Sequence, residues 1–331
     1  MNYSKQLEEL LLSGKEGHIK LARQKARSMG IDINPIYWNL RETSKFLETV
    51  SRRALDIPRM VKIVRQEGLE ILNTELEDLP ECLSALSLVV ERASLSQNQF
   101  YQFPKVITLW RNLKYLDLSY NSLEDLPQQL LDLDKIEHLD LSHNFIKQLP
   151  QRIYYLKNLH SLGLVNNPIR EIPLHLNELK LFSLLSWGTE KPRAFPDNLF
   201  RLRNLRGLRL VGLGIKRIPE EIDNLSRLEG LSIDYTDIKT LPNELSRLQN
   251  LYYLRLKHSH TLGDLPECIF DLKNLEELDL QDTPLRKIPK TIRRLKKLKK
   301  LNLKGCYIRN YSKVQRVEIR EWLPNTEISF S

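Results

Sequence analysis

Leucines and prolines recur along this chain with a fixed beat. Pro80, Pro104, Pro127, Pro150, Pro173, Pro196, Pro219, Pro242, Pro266 and Pro289 follow one another at intervals of 23 or 24 residues. Inside each interval runs a second frame, L-x-x-L-x-L-x-x-N, complete in Leu113, Leu116, Leu118 and Asn121 and again in Leu159, Leu162, Leu164 and Asn167. Repetition at this period is the signature of a stacked solenoid, in which each repeat relies on its neighbours to cover its apolar face. The alternation in L-x-L predicts a short strand with its leucines inward and the residues between them outward. Eleven turns are expected, with inward pairs at Leu69/Ile71, Ala93/Leu95, Leu116/Leu118, Leu139/Leu141, Leu162/Leu164, Leu185/Trp187, Leu208/Leu210, Leu231/Ile233, Leu254/Leu256, Leu278/Leu280 and Leu301/Leu303.

Strands stack about 4.8 Å apart, while a returning segment such as Pro127 to Asp134 is bulkier, so the stack should curve with its strands on the concave side. Asn98, Asn121, Asn144 and Asn167 close their strands where the chain turns inward, and buried amides there can bond the backbone of adjacent turns. From the sixth turn the slot holds Glu190, Leu213, Thr236, Ser259, Thr283 and Cys306. Leu213 cannot replace an amide and Glu190 would carry a charge inward, so irregularity is expected over residues 186–214, where Trp187 also takes a leucine position.

The frame with its trailing x-L-x-x-L-P, as in Leu123, Leu126 and Pro127, resembles the leucine-rich-repeat family, in particular its intracellular 23-residue type, over about three quarters of the chain. The segment from Leu10 to Gly30 is similar, more weakly, to the helical lead-in of repeat proteins from Bacteroidetes-type bacteria. The resemblance implies an α/β fold, a right-handed leucine-rich-repeat solenoid or horseshoe, and a partner held on the concave sheet or its rim.

Both open ends of such a stack need caps. Residues 1–65 read as a helical N-terminal domain or cap, with apolar groups at Leu7, Leu10 and Leu11, at Ile19, Leu21, Ala22 and Ala26, and at Phe46, Leu47, Val50 and Leu55 behind a candidate N-cap, Thr43. The solenoid then spans 66–311. In the C-terminal cap, 312–331, Ser312 can start a helix that runs to Trp322 and Pro324 ends it, leaving Thr326 to Phe330 to add a last strand.

Charge is unevenly spread. Residues 1–65 hold 13 basic against 7 acidic side chains, 66–200 hold 12 against 18, and 201–331 hold 26 against 17. That asymmetry favours oriented approach of a charged partner over uniform adhesion to nucleic acid. No signal-like apolar run or membrane span is evident, and Cys82, Cys268 and Cys306 lack paired spacing, which together point to a reducing cytoplasm. Cys82 and Cys268 take the same slot eight turns apart and cannot pair, and Cys306 should be a buried, unreactive thiol. Walker A, G-x-G-x-x-G, H-E-x-x-H and G-x-S-x-G motifs are missing, and no cysteine begins a C-x-D nucleophile, so no catalytic role is expected. His138, His143 and His160 fall on neighbouring strands at spacing too loose for a metal site, and no metal, cofactor or bound prosthetic group is expected.

The candidate site is the concave face. Its outward positions bring together Tyr115, Asp117 and Tyr120, then His138, Asp140 and His143, then Arg209, Asp234 and Tyr235, and then Tyr253, Arg255 and Lys257. Clustered aromatic and charged side chains are what protein interfaces use as anchors. The expected function is a monomeric, non-catalytic adaptor or scaffold that binds a protein partner. A bacterial effector delivered to a host is the alternative. Nucleic acid or an anionic surface, met by the basic run Arg286 to Lys304, is a weaker one, since the repeat splits that charge between convex and concave sides and interleaves no aromatic groups.

Overall fold

The computed structural model describes residues 9–13, 16–28, 34–51, 57–179, 184–188, 195–196, 198–212, 214–306 and 313–330. Two compact units divide the chain, Met1–Leu159 and His160–Ser331. The first contains helices α1 (Glu16–Ser28), α2 (Asn34–Ser51) and α3 (Ile57–Gln66) and strands β1 (Leu69–Glu70), β2 (Arg92–Ser94), β3 (Tyr115–Asp117) and β4 (His138–Asp140). The second contains β5 (Ser161–Gly163), β6 (Leu184–Gly188), β7 (Gly207–Val211), β8 (Gly230–Asp234), β9 (Tyr253–Arg255), β10 (Glu277–Asp279) and β11 (Lys300–Asn302), followed by α4 (Lys313–Trp322) and β12 (Glu327–Ser329). Eleven strands thus stand at the expected leucine pairs, and the twelfth is the strand expected of the C-terminal tail.

Pairing within each unit is parallel and follows chain order. Ala93 lies level with Leu116 and Leu116 with Leu139 in the first unit. Leu208, Leu231 and Leu254 form one column in the second, and Leu278, Leu301 and Ile328 continue it. Every member of these columns that belongs to β2–β4 or β7–β11 is at most 1% exposed. At about 1.5–3 kcal/mol per fully buried large side chain, the leucine columns are what hold one turn on the next.

The prolines mark where each turn leaves the core. Pro127, with φ −72°, sits in extended conformation just before a 3-10 turn, Gln128–Asp132, and its carbonyl accepts the Leu130 N–H at 3.1 Å. The same device repeats at Pro104, Pro219, Pro242, Pro266 and Pro289. A residue with no N–H and a fixed φ is suited to a start where no acceptor is available. Short 3-10 turns rather than α-helices carry the chain back.

The polar ladder behaves as its chemistry requires. The Asn121 Nδ2 group donates to the Leu95 and Leu118 carbonyls at 3.1 and 3.0 Å, and its Oδ1 accepts the Phe100 N–H at 3.1 Å. Asn98 and Asn144 make the equivalent bonds one turn before and after. Later the same slot runs on hydroxyl and thiol: Thr236 Oγ1 lies 3.2 Å from Ser259 Oγ, and Thr283 Oγ1 donates to the Leu280 carbonyl at 2.6 Å. Glu190 and Leu213 lie outside the described residues. Over the expected range β6 and β7 each have five residues where most other strands have three, and β8, beyond that range, is equally long. Trp187 fills its leucine slot at 2% exposure, its ring 5.3 Å from Phe195. Gly188 is obligatory beside it, because a Cβ there would collide with the Val211 carbonyl.

Two expectations for the N-terminal helices fail. Thr43 is not a helix start: it lies within α2, fully buried, and its Oγ1 donates to the Cys82 carbonyl at 2.6 Å, tying the helix to the first 3-10 turn, Glu81–Leu86. Leu21 is 38% exposed, whereas Ala22 and Ala26, four apart on the helix, are buried. Leu7, Leu55 and Ser312 lie outside the described residues.

Candidate functional site

In the first unit the open strand face carries Tyr115 and Asp117 at the ends of β3 and His138 and Asp140 at the ends of β4. The Tyr115 and His138 rings are 6.2 Å apart, and the Arg92 guanidinium lies over Tyr115, 4.7 Å from its centre. Burial, then the carboxylates of Asp117 and Asp140, raise the Tyr115 phenol above its ordinary value, against the pull of Arg92. Both aspartates also organise the turn that follows. The Asp117 Oδ1 accepts the Ser119 N–H and the Asp140 Oδ1 the Ser142 N–H, each at 2.9 Å.

Tyr120 and His143 do not belong to the strands, contrary to expectation. Each lies just beyond, in a left-handed turn with φ 54° and 57°, and their rings stack at 3.9 Å and 10°. The second unit repeats the arrangement with Tyr235 and His258, φ 55° and 54°, stacked at 4.4 Å and 20°. His258 reaches the Asp282 carboxylate at 3.5 Å. The sequence reading missed His258 and Asp282. The signal for both was the column immediately before the ladder residue, which turns left-handed in repeat after repeat.

The second unit's face is dominated by charge. Arg209 Nε approaches Asp234 Oδ2 at 3.5 Å, and Arg255 Nε approaches Asp234 Oδ1 at 3.0 Å and Asp279 Oδ2 at 3.9 Å. The Arg255 contact with Asp234 is ionic rather than a hydrogen bond, since neither atom gains an aligned partner. Asp234 was expected to face a partner, but its side chain is wholly buried and serves to hold the two arginines. Burial of Arg255 opposes its charge, yet Asp234, Tyr253 and Asp279 outweigh that and raise its pKa. Tyr253 is raised by burial, with Arg255 opposing. Lys257 stands past the end of β9 and contributes its carbonyl to the Tyr235 N–H.

Three of the ten basic residues between Arg286 and Lys304 pair with carboxylates of the preceding repeat. Lys299 pairs with Glu276 at 2.7 Å, Lys300 with Glu277 at 3.0 Å, and Arg294 with Asp271. A spacing of one repeat, 23 or 24 residues, likewise joins Lys114 to Glu91 and Arg247 to Asp223 elsewhere. These pairs are exposed and contribute little stability singly, but they reduce the field that a phosphate backbone would meet.

Among the described residues no group of three or more His, Cys, Asp or Glu side chains is arranged to hold a metal. Burial raises the thiols of Cys82 and Cys306 and pushes Cys268 up to about 11. Cys306, expected to be buried, is partly exposed, with its Sγ 3.1 Å from the Leu280 carbonyl. A hollow of about 660 Å³, lined in part by Tyr101, Phe103, Lys105, Glu124 and Leu126, opens among the 3-10 turns of the first unit. No described helix is long and apolar enough to cross a membrane.

Comparison with known proteins agrees with this geometry. A family described as "Leucine rich repeat" matches residues 111–169, and one described as "Leucine-rich repeat region" matches residues 194–302. This is a leucine-rich-repeat protein. Among solved structures, the leucine-rich-repeat domain of the type III effector XopL is similar at TM-score 0.51 and 21% identity, with 93% of each chain covered. TLR13 in its complex with ssRNA13 is similar at TM-score 0.55 and 22% identity, over 72% of this chain and 36% of that one. A leucine-rich-repeat protein of Leptospira interrogans is similar at 28% identity and TM-score 0.45, over 77% of this chain and 76% of the other. No curated protein matches the chain in sequence.

Proposed function

We propose that this chain is a non-catalytic adaptor or scaffold, monomeric and cytoplasmic, which binds a partner protein on the open faces of its strands. One observation carries the reading: in both units those faces and their rims present aromatic rings beside charged groups, with Tyr115, His138, Tyr120 and His143 in the first and Tyr235, Tyr253, Arg209 and Arg255 in the second. Tyr120 and Tyr235 are 52% and 44% exposed, which leaves their rings available to a partner. Asp117 and Asp140 in the first unit would favour basic groups of a partner, and Arg209 and Arg255 in the second would favour acidic ones.

Affinity capture from the source organism's lysate, nuclease-treated, tests it. Tyr115→Ala, Asp117→Asn and Tyr253→Ala should each lose the same captured protein while keeping the wild-type melting temperature. Capture that survives all three, or that nuclease abolishes, overturns the reading. Delivery into a host as an effector is the second reading, favoured by likeness to the XopL repeat domain along nearly the whole chain. A translocation reporter fused to the chain separates it from the first.

A further inference from the structure

Outward positions on β7, β8 and β9 fall into register. Gly230 lies level with Gly207 and Tyr253, and Ser232 lies level with Arg209 and Arg255. Two glycines and a serine side by side leave a notch in a face otherwise built of long side chains. A Cβ at Gly230 would meet nothing nearer than Tyr253 Cδ1, at 3.8 Å. Arg209 and Arg255, 49% and 29% exposed, flank Ser232, whose hydroxyl donates to Asp234 Oδ2 at 3.0 Å.

The buried Asp234 engages both guanidinium groups from their Nε sides. The η nitrogens of Arg209 then meet no protein acceptor among the described residues. A guanidinium drawn towards a carboxylate at its Nε edge presents its remaining N–H pair as a fork that matches a second carboxylate. With Lys257 on the same strand run, three cations face two carboxylates, those of Asp234 and Asp279. Glu277 on the adjoining strand is itself paired with Lys300, so the surplus suits a single negative charge.

We propose that this notch is a subsite for an acidic segment of the protein partner. A glutamate or aspartate carboxylate is taken by Arg209 and Arg255, and its stem lies over Gly207 and Gly230 against the Tyr253 ring. The proposal rests on the reading that strand faces meet the partner. A defined peptide tests it without that partner, so failure of capture and failure of the subsite are separate results.

The probe is fluorescein-labelled decaglutamate, with decaglutamine as its uncharged counterpart, read by anisotropy at low salt. Arg209→Gln should weaken decaglutamate binding by about tenfold, the loss of a charge-assisted pair. Gly230→Leu, which fills the notch and changes no charge, should weaken it comparably with the melting temperature preserved. Removing three charges from the 3-10 turn, in Lys290→Gln/Arg293→Gln/Arg294→Gln, should change it by less than about twofold. Because Arg255→Gln strands a buried carboxylate and can unfold the unit, Arg255→Lys replaces it and should also weaken binding. Equal loss from the 3-10 turn variant, or no loss from Gly230→Leu, would show diffuse attraction to a basic protein and overturn the subsite. So would displacement of the probe by a phosphoserine peptide more readily than by unlabelled decaglutamate.

Discussion

Asn144 provides the sharpest test of how the repeats are joined. It is 4% exposed, donates from Nδ2 to the Leu118 carbonyl at 2.9 Å and the Leu141 carbonyl at 3.0 Å, and accepts the Leu123 N–H at 2.9 Å. Asn144→Ala removes all three and leaves the Leu123 N–H buried with no acceptor. A stranded buried group costs about 1–3 kcal/mol, so with the weakened carbonyls the loss should be about 2–4 kcal/mol. Asn144→Thr keeps one donor that can reach the Leu141 carbonyl, as Thr283 reaches Leu280 at 2.6 Å, and should recover about half of that. Urea unfolding followed by far-ultraviolet circular dichroism measures both variants, compared at equal m-values so that a change in cooperativity is not read as stability. An unfolding free energy for Asn144→Ala within about 0.5 kcal/mol of wild type, or a threonine variant weaker than the alanine one, would refute the ladder's role.

Other expectations follow from the same packing. Leu254→Ala, at a position with no exposure in the middle of a leucine column, should cost about 2–5 kcal/mol in urea unfolding and broaden the transition, because it uncouples two turns. Cys268, pushed up to about 11 by burial, should react negligibly with a disulfide reagent at pH 8 and promptly once unfolded. Since its folded pKa exceeds the ordinary thiol value, it contributes stability that is intact below about pH 8.5 and lost as pH rises towards 11, so Cys268→Ala should flatten the alkaline limb of a stability profile. Tyr120→Asn should leave the unfolding free energy within about 1 kcal/mol of wild type, since release of a left-handed tyrosine offsets loss of a ring stack, yet reduce partner capture.

The frame was legible in sequence because one physical demand recurs at one period. A leucine that must be buried, a proline that must start a 3-10 turn and an amide that must bond two carbonyls each leave a residue type at a fixed station, and all eleven expected strands follow from those stations. What lay between stations was not legible to the same degree. Asp234 occupies an outward position by alternation, yet it is wholly buried, with Arg209 and Arg255 of the two neighbouring strands and Ser232 of its own against its carboxylate. Thr43 has the residue type of a helix cap, but its hydroxyl is taken by the Cys82 carbonyl 39 residues away, a tertiary contact that no local pattern encodes. Leu21 misled because helical periodicity fixes a face and not which side of that face the rest of the chain covers.

The left-handed column bears on which residues the molecule keeps for contact. Ten non-glycine residues have positive φ among those described, and Tyr120, His143, Tyr235 and His258 are among them. Glycine meets this demand at Gly212 and Gly305, and asparagine, which tolerates it, at Asn73 and Asn166. A tyrosine in that conformation gives up about 1 kcal/mol of backbone stability, and a stacked neighbour returns about 0.5–1.5 kcal/mol. The exchange is close to neutral, so folding gives no reason to prefer tyrosine and histidine there over glycine. Their recurrence as a stacked pair, once in each unit and half exposed at the tyrosine, is then a property of the surface and not of the frame. Strain at a recurring outward position argues for a role in recognition where the same ring buried in a column would argue only for packing.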